Sequence, residues 1–141
     1  EQGYLVPKKS VFNRIVGDDE LELRFARFLD DCEDVASFAK NYFAVQFRLD
    51  YINADGNASN YFPDFLVKLT DGRVFIVETK GREDMDVPLK MQRLRQWCVD
   101  VNRVQTAVQY GFVYADQEGF EKYAPKSFRD LVEAFTEYQI S

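Results

Sequence analysis

The sequence predicts an α/β protein with a central mixed β-sheet flanked by helices. Apolar residues recur at helical spacing in separate stretches, and short runs rich in aromatic and β-branched residues lie between them. The elements read in the order α-β-β-β-α-β-α, which suits one sheet covered by helices. At 141 residues, 46% hydrophobic and 16% aromatic, the chain can form one domain, 1–141, with a sizeable core.

Residues 1–16 are mixed and slightly basic, with Lys8, Lys9 and Arg14. The stretch "GDDELELRFARFLDDC" then predicts a helix whose apolar face is Leu21, Phe25, Phe28, Leu29 and Cys32. Asp18 or Asp19 can cap it, and acids in its first turn suit the helix dipole. Tyr42–Ile52 predicts a strand, and "NADGNASN" a polar loop. Phe65–Leu69 and Val74–Glu78 predict two strands joined by a tight turn at Thr70-Asp71-Gly72, where Gly72 tolerates positive φ. Val87–Val104 predicts a second helix, with Val87, Met91, Leu94, Cys98 and Val101 in register and Pro88 in its first turn. Thr106–Tyr114 predicts a strand and Phe128–Tyr138 a last amphipathic helix.

Composition narrows the chemistry. There is no histidine, which removes Ser-His-Asp and Cys-His machinery and most zinc hydrolase sites. Hydrolysis here must run on carboxylates, lysine and a hard metal ion. Cys32 and Cys98 are too few for a disulfide scaffold or a zinc site, fit core-facing helix positions, and point to a reducing, intracellular setting. No segment resembles a signal peptide or is apolar enough to span a membrane. The chain starts at Glu1 without methionine, as expected of a piece of a longer protein or of one that has lost a leader. A net charge of −6 disfavours phosphate binding unless basic residues cluster.

The informative stretch is "YFPDFLVKLTDGRVFIVETKG". Val74–Lys80 begins apolar on both faces, as a central strand does, and then one face turns to Glu78 and Lys80. A carboxylate there is costly unless it is paired or bound to metal. Counting outward from Asp71-Gly72 brings Asp64 level with Glu78 at the open end of the hairpin. Two facing carboxylates invite a cation, and Mg²⁺ or Mn²⁺ takes such ligands with water and phosphate oxygens. Lys80, on the same face, could hold or deprotonate the attacking water.

Pro63-Asp64 followed by Glu78-Thr79-Lys80 resembles the PD-(D/E)XK nuclease signature. The flanking blocks "VFNRIVGDDELELRFARFLD", "FAKNYFAVQF", "NYFPDF" and "VPLKMQRLRQWCVDVN" look like the C-terminal nuclease domain of type III restriction enzyme Res subunits and related helicase-linked proteins. The resemblance spans roughly Val11 to Ala115. It implies a restriction-endonuclease-like fold and a Mg²⁺-dependent endodeoxyribonuclease. Asp64, Glu78 and the Thr79 backbone carbonyl would hold the metal, and Lys80 would activate water. Glu22, or failing that Glu20, would be the helix acid that completes such a site. It also implies an ATP-driven helicase motor in cis outside this chain, a DNA-modification (Mod) subunit as partner, double-stranded DNA as substrate, and a prokaryotic, cytoplasmic anti-phage role. On the second helix Lys90, Gln92, Arg93, Arg95 and Gln96, with Arg82 before it, are the expected DNA contacts. The competing expectation is a non-catalytic docking or DNA-binding module attached to a helicase.

Overall fold

The computed structural model describes residues 4–5, 7–10, 15–16, 20–41, 46–81 and 84–139. Two short strands, β1 (Tyr4–Leu5) and β2 (Ile15–Val16), pair antiparallel. Helix α1 (Glu20–Asp31) follows and buries Leu21, Phe25, Ala26 and Leu29, most of the face that helical spacing predicts. The expected caps, Asp18 and Asp19, lie outside the described residues. The Phe25 ring centroid is 5.4 Å from those of Phe65 and Phe120, a tilted aromatic cluster that fixes how α1 lies on the sheet.

The next strand, β3 (Val35–Lys40), is not foreseen. A bulge between Val35 and Ser37 breaks its alternation, and its Ala, Ser and Lys residues are not typical of strands. The strand expected over Tyr42–Ile52 is shorter. Residues 42–45 are outside the described residues, Gln46 sits at φ 49°, and the ladder begins only with β4 (Leu49–Ile52). β4 pairs with β5 (Ala58–Tyr61) as a separate two-stranded sheet, so the last three residues of the stretch read as a loop, 58–60, are strand. Asn53 builds the turn between them: its Oδ1 accepts from the N–H groups of Asp55 and Asn57.

The main sheet has the order β3, β6 (Phe65–Leu69), β7 (Val74–Lys80), β8 (Tyr110–Asp116). β6 runs antiparallel to both β3 and β7, while β7 and β8 are parallel, so the sheet is mixed as predicted. Gly72, at φ 93°, makes the β6–β7 turn. Helix α2 (Val87–Val104) is the crossover that a parallel pair requires. β8 starts later than the expected Thr106, because the Gln105 side chain both donates to Val108 O and accepts from Val108 N–H, holding a loop there. α3 (Gln117–Tyr123), not foreseen, is capped by Asp116. α4 (Phe128–Ala134), capped by Ser127, stops short of Tyr138. Asp34 accepts from Phe128 N–H and Arg129 N–H, tying α4 to the turn before β3.

One sheet face, Phe65, Val67, Leu69, Phe75, Val77, Val113 and Ala115, packs under α1 and α4. The other, through Ile76, Phe112 and Tyr114, packs on α2 and the β4–β5 hairpin. β7 is therefore covered on both sides. Cys32 and Cys98 are free thiols, one in each layer, and burial pushes both up to about 12. At the sheet margins, the Asn102 side-chain amide takes both N–H and C=O of Tyr110, Gln139 donates to Phe112 O, and Phe38 N–H donates to Lys9 O. Among the described residues no helix is long and apolar enough to cross a membrane.

Candidate functional site

The β6–β7 ladder sets Phe65 opposite Val77 and Lys68 opposite Val74. The ladder ends there: Asp64, one residue before β6, donates its N–H to Val77 O and lies beside the Glu78–Thr79 end of β7. Asp64 and Glu78 lie at the open end of the hairpin, where β7 passes from Ile76 and Val77 to Glu78, Thr79 and Lys80.

Asp64 is held from several directions. Its Oδ2 accepts from Thr79 N–H at 2.9 Å and from the Thr79 hydroxyl at 2.8 Å. Its Oδ1 is 3.8 Å from Lys40 Nζ. Its backbone N–H donates to Val77 O, and its C=O accepts from Asn41 N–H. Asn41 clamps the segment further: its amide donates to Phe47 O and Pro63 O, both at 2.8 Å, and accepts from Phe47 N–H at 3.0 Å. Asn41→Ala removes these side-chain bonds and strands their backbone partners. We expect a loss of about 1–3 kcal/mol in urea denaturation, the cost of leaving such groups unpaired.

Glu78 is 5% exposed, and its Oε1 accepts from the Tyr61 hydroxyl at 3.0 Å. Burial drives the Glu78 carboxyl well above the usual carboxylate range, and the Asp64 charge drives it the same way; the Tyr61 hydrogen bond, Lys80 and Lys90 only partly offset this. Burial raises Asp64 as well, against the pull of Lys40 and the two Thr79 bonds. Tyr61 is pushed well above its ordinary value by burial and by the two carboxylates, so it remains a donor to Glu78.

The other expected site residues fall in different places. Thr79 is buried and pairs in register with Ala115 of β8. Lys80 Nζ is 3.6 Å from Asp84 Oδ2 at the start of the connection to α2. Glu22 reaches the site indirectly: its Oε1 is 2.9 Å from Lys40 Nζ, and Lys40 in turn faces Asp64. Glu20 is exposed on the first turn of α1. Lys40, Tyr61 and Asn41 are residues that sequence reasoning missed. Lys40 sits in an unrecognised strand, and Tyr61 reads as simple packing.

The basic cluster expected on α2 is divided. Lys90 turns toward the site, with Nζ 5.6 Å from the Tyr61 ring centroid. Arg93 donates to Asp50 O in the hairpin, whereas Arg95 donates to Gln139 O near the end of the chain. Gln96 donates to Asp100, Gln92 is exposed, and Arg82 lies outside the described residues.

A buried carboxylate, Glu78, and a partly buried one, Asp64, at an open strand end supply oxygen donors of the kind that suit a hard divalent cation. Among the described residues no group of three or more acidic or cysteine side chains forms a ready metal cage. Comparison of the chain with protein-family models, curated proteins and solved structures finds no match.

Proposed function

We propose that this domain is a Mg²⁺-dependent endodeoxyribonuclease of the restriction-endonuclease-like fold, working within a helicase-nuclease similar to type III Res subunits. The observation that carries this reading is the convergence of Asp64, bonded to Thr79, on the end of β7 that carries Glu78. Each is fixed by dedicated partners, Thr79 for one and Tyr61 for the other, and both carboxyls are pushed up by burial. A structural role would favour neutral groups at such a position; holding costly carboxylates there makes sense when a cation binds.

In this reading Asp64 and Glu78, with the Thr79 carbonyl, hold the ion. The ion, when bound, would neutralise charge on the phosphodiester and acidify its water. Lys80 orients the attacking water and offsets charge on the phosphorus oxygens. Tyr61 keeps one Glu78 oxygen engaged so that the carboxylate cannot swing away. Double-stranded DNA is the substrate. ATP serves the motor in cis, and a Mod subunit supplies target recognition.

A second reading, a non-catalytic docking module, is favoured by the net charge of −6 and by the divided basic side chains of α2. Incubation with supercoiled DNA separates the two. We expect nicked and linear products with Mg²⁺ or Mn²⁺ and none after chelation. Intact DNA with both metals, from the domain alone and from the protein that carries it, would leave the docking module.

A further inference from the structure

Lys40 is a lysine where a strand would ordinarily bury an apolar residue. Its side chain is 9% exposed, at the end of β3 beside Phe65. A buried ammonium is costly unless it is paired. Here it lies between two carboxylates, 2.9 Å from Glu22 Oε1 and 3.8 Å from Asp64 Oδ1. Glu22 comes from α1 and Asp64 from the approach to β6, so three elements converge on one nitrogen. The other Asp64 oxygen is taken by Thr79.

The consequence is electrostatic. Glu22 and Asp64 would together carry two negative charges in this corner of the site, and the ammonium between them offsets one. The space between Glu22 and Asp64, where a second cation would otherwise bridge, is taken by Nζ. We infer that Lys40 is a positioning residue that stands in for a second cation, limits the site to one divalent ion and commits Glu22 to the lysine instead of to metal. This rests on the metal-site reading proposed above and deepens it.

The test is Mn²⁺ titration by calorimetry, with thermal melts to verify folding and Asp64→Asn/Glu78→Gln as the blank. We expect one ion for the wild-type chain and one for Lys40→Arg, which keeps the charge. Lys40→Met is expected to take up a second ion at the vacated Glu22–Asp64 position. Glu22→Gln/Lys40→Met removes both charges, a change that buried ion pairs often tolerate, and is expected to return to one ion. This double variant also serves if Lys40→Met alone fails to fold. A wild-type stoichiometry of two, a folded Lys40→Met that still binds one ion, or a folded double variant that loses the ion would each overturn the inference while leaving metal binding intact. Heats indistinguishable from the blank in the wild-type chain would remove the metal-site reading, and the inference with it.

Discussion

On the nuclease reading we expect Asp64→Ala and Lys80→Ala each to abolish metal-dependent DNA cleavage, a loss on the order of 10³-fold, while the fold survives. Asp64→Ala removes an ion ligand and leaves Thr79 N–H and its hydroxyl without their acceptor. The core beneath, Phe65, Val67 and Phe25, is untouched, and Lys40 keeps Glu22 as a partner. Lys80→Ala removes the ion pair with Asp84 and a positive charge near Glu78 from a side chain that is 26% exposed, so a loss of activity would have no folding explanation. Plasmid relaxation read beside thermal melts checks both. Cleavage at wild-type rates by either folded variant would show that the site lies elsewhere.

Glu78→Gln moves stability the other way. Folding raises the Glu78 carboxyl above its unfolded value, so the folded state holds that proton more tightly. Its favourable contribution is therefore present below the ordinary glutamate range and is lost as pH rises toward the raised folded value. Asp64 shifts in the same direction. Glutamine still accepts from the Tyr61 hydroxyl but carries no charge. We expect Glu78→Gln to stabilise the metal-free protein near pH 8 by about 1–3 kcal/mol, the scale of a poorly solvated buried polar group. The gain should shrink on acidification. Mg²⁺ at a hundred times its Kd stabilises the wild type by about 2.7 kcal/mol and the variant hardly at all. Unfolding at pH 5 and pH 8, with and without Mg²⁺, tests all of this. A variant that is less stable at pH 8 and keeps its full metal response would reduce Glu78 to a hydrogen-bond acceptor for Tyr61.

That Asp64 and Glu78 fall at the same end of the hairpin was legible because a two-strand register follows from its turn, and Asp71-Gly72 locates that turn without tertiary information. Helix α2 was equally legible, since a long apolar period and Pro88 mark it. β3 was hidden by its bulge. Asn41, Lys40 and Tyr61 were hidden for a different reason: their site partners lie 17 to 24 residues away, Glu78 for Tyr61, Pro63 for Asn41, and Glu22 and Asp64 for Lys40, and no local pattern connects them. Lys40 in particular resembles an ordinary surface lysine until α1 is laid over it. The division of Arg93 from Arg95 was available in principle. Two residues apart on a helix point to nearly opposite sides, so a basic run in sequence is not a basic face in space.

The closed margins of the sheet bear on how this chain can be built into something larger. Backbone groups along an outer strand normally offer a template for β-augmentation by another chain. Here Asn102 and Gln139 occupy such groups on Tyr110 and Phe112, and Lys9 occupies one on Phe38. Amides standing in for a neighbouring strand work as stoppers against polymerisation. Where these groups are taken, another chain has to attach through side-chain surfaces or a covalent tether instead.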